Sequence, residues 1–306
     1  MKSLYTSVDI KTSGSKIGYN DKILLLGSCF ADNIGEKFTE HYFQATINPY
    51  GTLYNPASMA RAVGGFRGEI VEWGGLWHST MHHGCLSGAE KDIVEANCQA
   101  AEKLLQEAVR EADVVVVTFG TAWVYEMDGE VVANCHKMPA NRFMRRCLTV
   151  EEIVELWEPI IMRMPDKHWV FTVSPIRHVK DGLHANQISK AILLQAIDNL
   201  ISSLSLQASK LDYFPSYEIM MDELRDYRFY AEDLVHPSKM AVDYIWERFV
   251  DTYMTVDTKN EMRILYQLWL DRHHRFLHPE TAEAKAFAER IEKRKNELKS
   301  QYHWLK

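Results

Sequence analysis

Long apolar runs are missing from this chain. No stretch approaches the roughly 18 to 20 apolar residues that span a bilayer, and the opening residues MKSLYTSVDIKTSG carry no apolar signal core. The expectation is a cytoplasmic protein without membrane insertion. A positive charge excess is missing too: 35 Lys and Arg stand against 42 Asp and Glu, a net charge of −7. That leaves no electrostatic footprint for nucleic acid or an anionic membrane. Cysteine is sparse, and five residues with no C-x-x-C spacing indicate neither a disulfide framework nor structural zinc. Internal repeats and low-complexity segments are absent.

What is present is a globular composition, 46% hydrophobic and 25% charged over 306 residues, enough to bury one large core or two modest ones. Short continuous apolar runs at 23–26, 113–118 and 169–173 predict strands covered on both faces, with fainter candidates at 45–48 and 217–221. Helical spacing is present over 31–41, 91–111 and 188–204. Strand and helix alternation of this kind predicts a doubly wound α/β sheet. The irregular stretches 48–55, 64–88 and 120–144 exceed ordinary connections, so they are functional or conceal hairpins.

The last fifty residues differ in character. Helices are predicted over 262–270 and 284–298, the second with Ala284, Phe287, Ala288, Ile291 and Leu298 on one stripe. Its opposite face is dense in charge, which favours a solvated helix packed on the main domain over a partner-binding arm. The expected division is a main domain over 1–255 and a helical extension over 256–306.

Two potential nucleophiles, Ser28 and Cys29, sit on the turn that follows the first strand, in KILLLGSCFADNIGEKF. Open α/β sheets place their sites at the carboxyl ends of strands, and a helix N-terminus offers free N–H groups for a developing oxyanion. On this segment alone, Ser28 reads better as a helix cap. Far downstream, YAEDLVHPSKMAVDYIWERF places Asp233 three residues before His236, with Pro237 at a helix start. Such a pair sets a carboxylate against one imidazole nitrogen and leaves the other free as a base. The stretch WHSTMHHGC holds His78, His82, His83 and Cys85. Its spacing suits a metal only on a helix, and the surrounding glycines argue for a loop. No metal or cofactor is expected. Cys135 beside His136 is a poor dyad, because adjacent side chains rarely face each other. The aromatic clusters Trp73 with Trp77, Tyr213 with Tyr217 and Tyr227 with Tyr230 read as core before they read as a sugar platform.

The block LLGSCFADNIG resembles the motif of the GSCFA family, here Gly27 to Ala31. Further blocks are similar to the same family: NPYGTLYNP, TFGTAWVY, NCHKMP, TVSPIRH and YFPSYEIMMDELRDYRFYAEDLVHPS. The resemblance runs over about 27–249 and implies a relationship to the SGNH (GDSL-type) ester hydrolases. Their fold is a three-layer α/β/α sandwich with a central, mainly parallel sheet. It also implies roles: Ser28 as nucleophile, His236 as general base, Asp233 as its orienting carboxylate, and the Gly51 N–H as an oxyanion donor. Those enzymes carry G-x-N-D in the third block, whereas this chain has Gly120-Thr121-Ala122-Trp123. The Asn amide is missing at Ala122, and Asn134, Arg177 and His178 are candidate substitutes. Arg177 is alternatively a fork for a carboxylate or phosphate on the substrate.

The resemblance thus implies a serine ester hydrolase that removes a small acyl group such as acetyl from a small-molecule or glycan ester related to carbohydrate or the cell envelope. The alternative is an SGNH-like shell that binds without efficient turnover. Cys29 is expected to turn away from Ser28 and pack as a small apolar residue.

Overall fold

The computed structural model describes residues 6–11, 13–206, 208, 210–302, 304 and 305. In chain order the strands are β1 (Lys22–Gly27), β2 (Gln44–Ile47), β3 (Ile70–Trp73), β4 (Leu76–Ser79), β5 (Val114–Phe119), β6 (Trp123–Met127), β7 (Glu130–Val132), β8 (Met144–Cys147), β9 (His168–Val173) and β10 (Leu211–Phe214). Five of them form the central sheet in the order β10-β9-β5-β1-β2, every neighbouring pair parallel. All six residues of β5 and of β9 are buried, which is why these segments read as unbroken apolar runs instead of alternating ones.

Helices cover both faces. Leu24, Leu26, Val115, Val117 and Phe171 point to one side, into a core shared with the helices Pro56–Val63, Lys91–Glu111, Val150–Met162 and Leu183–Leu204. Their strand neighbours Ile23, Leu25, Val114, Val116 and Val170 point to the other, against Cys29–Glu40 and Lys239–Tyr253. The period of two along each strand therefore feeds two separate cores, and the architecture is an α/β sheet of five parallel strands between helical layers. The helix Val256–His273 adds Met262, Leu265 and Leu268 to the second core. On the last helix, Ala282–Lys299, Ala284 is buried and Ile291 and Leu298 pack inward, while Ala288 is exposed. Among the described residues, no helix is long and apolar enough to cross a membrane.

One sequence expectation changes. The faint strand at 217–221 is helical, formed by Ser216–Glu218 running into a wide turn at Ile219–Glu223. The fifth strand is β10, just before Pro215, and the Ser216 hydroxyl that follows donates to Val173 O at the end of β9. The long stretches 64–88 and 120–144 contain hairpins. β3 and β4 are joined through Gly74 and Gly75, and β6 and β7 through Asp128 and Gly129, all four at positive φ. That is the geometry of a two-residue hairpin turn.

Candidate active site

The site is built at the carboxyl end of the sheet. β1 ends at Gly27, where φ is +148° and a Cβ would lie 2.4 Å from Thr118 O. Only glycine fits so close to β5. The next residue, Ser28, is the N-cap of Cys29–Glu40: its Oγ accepts from Phe30 N–H at 3.3 Å and donates to Ser174 Oγ at 3.2 Å. Ser28 is only 1% exposed.

Two asparagines order the loop after β2. Asn48 Oδ1 accepts from Gly27 N–H at 2.8 Å, and its Nδ2 donates to Asp32 Oδ1 at 2.6 Å. The chain then crosses the ends of β1 and β5. Leu53 N–H donates to Gly27 O, and Tyr54 O accepts from both Gly120 N–H and Thr121 N–H at 2.9 Å. A Cβ placed on Gly120 would lie 3.5 Å from Ser28 Cβ and 3.5 Å from Tyr54 Cα. Next comes Asn55, the N-cap of Pro56–Val63, whose Oδ1 accepts from Ser58 N–H at 2.8 Å.

Asp233 and His236 lie on a tight loop closed by Ala231 N–H to His236 O at 2.7 Å. Leu234 takes a positive φ of 56°, a strained conformation for a leucine. The turn brings three donors onto one carboxylate. Asp233 Oδ1 accepts from Val235 N–H and His236 N–H, and Oδ2 lies 2.5 Å from His236 Nδ1. Those hydrogen bonds, the His236 N–H first, pull the Asp233 carboxyl down to about 2. With Nδ1 engaged, Nε2 is left without a hydrogen bond among the described residues.

Ser28, Cys29, Asp233 and His236 line one cavity of about 480 Å³. Its other walls include Tyr54, Asn55, Thr121, Trp123, Tyr125, Arg145, Arg177 and His178. Arg145 stacks over Trp123 at 4.5 Å and pairs with Asp181. Arg177 donates to Leu234 O and lies over Tyr230 at 5.4 Å, with no carboxylate partner among the described residues. Cys29 is a lining residue too, and it packs against the second core as a partly buried apolar residue. Burial, with Asp32 and Asp233 nearby, pushes its thiol up.

Beneath the cavity sits a lysine. Lys190, from Leu183–Leu204, is 1% exposed, and its Nζ donates to Gly120 O at 2.6 Å and Ser174 O at 2.7 Å. It thereby joins the ends of β5 and β9 under the Ser28–Ser174 pair. Burial pushes this ammonium down to about 7. Burial first and the Lys190 charge second push the neighbouring His178 down to about 4.

Two other candidates, Gly51 and Asn134, are not part of the cavity wall. The Gly51 N–H donates to Asn48 O at 2.7 Å. A Cβ there would meet the His83 side chain at 2.3 Å, so the glycine serves a close approach. Asn134 Oδ1 accepts from His136 N–H at 2.8 Å. Ala122 points into the core, and its N–H donates to Ser189 Oγ at 2.8 Å. The histidine stretch forms β4 and a turn. His78 bonds Ser87 Oγ and Trp73 O, His82 Nδ1 bonds Ser79 Oγ, and His83 accepts from Cys85 N–H. Among the described residues, no group of three or more His, Cys, Asp or Glu side chains is placed to hold a metal ion. Burial pushes the Cys135 thiol up to about 11.

The model of the GSCFA family matches residues 22–249, from the first residue of β1 to a point inside the helix Lys239–Tyr253. The chain belongs to the GSCFA family. No curated protein matches the sequence. The GSCFA region holds every residue of the cavity wall, and the last two helices lie outside it.

Residue-by-residue reading missed Asn48, Asn55, Ser174 and Lys190 in this GSCFA chain. Asn55 was signalled by the Asn-Pro step before a helix. Lys190 was signalled by its place on the buried stripe of its helix, with Asn186, Ser189, Leu193 and Ile197. A lysine at a core position needs acceptors.

Proposed function

We propose that this GSCFA protein is a serine ester hydrolase of the SGNH type, acting by acyl transfer to water. The observation that carries the reading is that a buried, helix-capping serine shares one cavity with an Asp233–His236 pair whose Nε2 is unengaged among the described residues. Ser28 turns from Ser174 toward the imidazole. Its Oγ attacks the ester carbonyl while His236 Nε2 takes the hydroxyl proton. The tetrahedral adduct then expels the alcohol, which leaves with that proton, and an acyl-Ser28 remains. Water attacks the acyl group by the same route, releasing the acid and restoring Ser28 and neutral His236. Asp233 stays ionised throughout because its carboxyl is held down to about 2.

The substrate proposed is a small acyl ester, acetyl for example, on a carbohydrate or a cell-envelope precursor. The aromatic wall of Tyr54, Trp123 and Tyr125 offers apolar faces to such a ring, and Arg177 offers a fork to an anionic group on it. One observation favours a second reading, a binding shell without turnover: at rest Ser28 is bonded to Ser174 and not to His236. Hydrolysis of p-nitrophenyl acetate separates the two. The esterase reading expects turnover by the wild type and none above background by Ser28→Ala; equal rates would overturn it.

A further inference from the structure

We infer that Asn55 is the side-chain oxyanion donor of this site, taking the part that an asparagine in the third block would play and that Ala122 cannot. The inference rests on the esterase reading above. Ala122 is fully buried in the core beneath the sheet's end, so restoring an amide there would not bring it to the cavity. Asn55 is 4% exposed and lines the cavity together with Ser28.

Its orientation is fixed by chemistry. The Ser58 backbone N–H is a donor, so the Asn55 atom 2.8 Å from it is the carbonyl Oδ1, and the amide Nδ2 takes the other prong of the fork. Nδ2 makes no hydrogen bond among the described residues, yet it is not among the buried polar atoms left without a partner. The amide therefore opens onto the cavity. The backbone holds it there: Leu53 is tied to Gly27 O and Tyr54 O to Gly120 and Thr121, so the segment passes directly over the strand ends that flank Ser28.

When Ser28 Oγ bonds to the carbonyl carbon, the carbonyl π pair moves onto oxygen, and a donor aimed at that oxygen stabilises it. Loss of one such donor lowers kcat by about 10²–10³. A capping role alone predicts something else, because Asn, Asp and Ser cap helices about equally well. Asn55→Ser and Asn55→Asp both keep the cap and lose the amide.

The test measures kcat and KM for p-nitrophenyl acetate, together with thermal midpoints, in wild type, Asn55→Ser, Asn55→Asp and Ser28→Ala. Both Asn55 variants are expected to keep the wild-type midpoint and lose about a hundredfold or more in kcat, with Asp the worse because its carboxylate repels the oxyanion. If Ser28→Ala is inactive while Asn55→Ser stays within threefold of wild-type kcat, the inference is overturned and the esterase reading stands. If Ser28→Ala matches the wild type, the esterase reading falls and the inference with it.

Discussion

Ser28 Oγ lies 3.2 Å from Ser174 Oγ, and the same Ser28 oxygen accepts the Phe30 N–H that opens the following helix. The nucleophile candidate and the helix cap are therefore one atom. Replacing Ser28 by Ala should remove both roles at once. Beyond the loss of turnover, urea denaturation is expected to show a loss of about 1 kcal/mol from the missing cap. An unchanged midpoint would contradict the capping geometry, whatever happens to activity.

Lys190 joins Gly120 O and Ser174 O from below, and its ammonium is pushed from 10.5 down to about 7 by burial. Lys190→Met removes both of these hydrogen bonds, at a cost of about 1–3 kcal/mol for each buried carbonyl left without a partner. The sign of the pH effect follows from proton counts. Between about pH 7 and pH 10.5 the unfolded chain holds a proton on Lys190 that the folded chain has released. Stability therefore rises with pH across that window. Below it both states are protonated and the contribution is flat. The stability difference, wild type minus Lys190→Met, should grow from pH 7 to pH 10; a difference that shrinks or stays constant would contradict the placement.

Cys29 shares the cavity with Ser28, yet its thiol is pushed up by burial and by Asp32. A thiolate is the reactive form of cysteine, and burial and Asp32 disfavour that form here. Cys29→Ala should retain esterase turnover within about threefold, roughly 0.7 kcal/mol in barrier terms. Loss of activity matching that of Ser28→Ala would move the nucleophile to the neighbouring residue.

The central sheet was legible because its strands are buried on both faces and read as unbroken runs: VVVVT in β5 and WVFTV in β9 need no tertiary information. The hairpins were anticipated as one reading of the long stretches, without their positions. Asp128-Gly129 lies between WVYEM and EVV, a strong short hairpin signal. The strand at 217–221 failed because an aliphatic run after a proline has no period long enough to separate strand from helix. Of the candidate site residues, Ser28, Asp233 and His236 could be named because they lie in short sequence blocks, and the family resemblance, not the local pattern alone, implied their roles. Lys190 and Asn55 could not be, since their roles depend on which carbonyl or cavity lies opposite, and that is set by contacts between distant segments.

The most direct test of the account is covalent labelling with a fluorophosphonate, read by peptide mass spectrometry. The probe reacts only with a serine whose hydroxyl has been activated by a base. The account predicts one adduct, on Ser28, formed about 10²-fold or more slowly in His236→Gln. No adduct on Ser28 in the wild type, or an adduct that forms just as fast without His236, would contradict it.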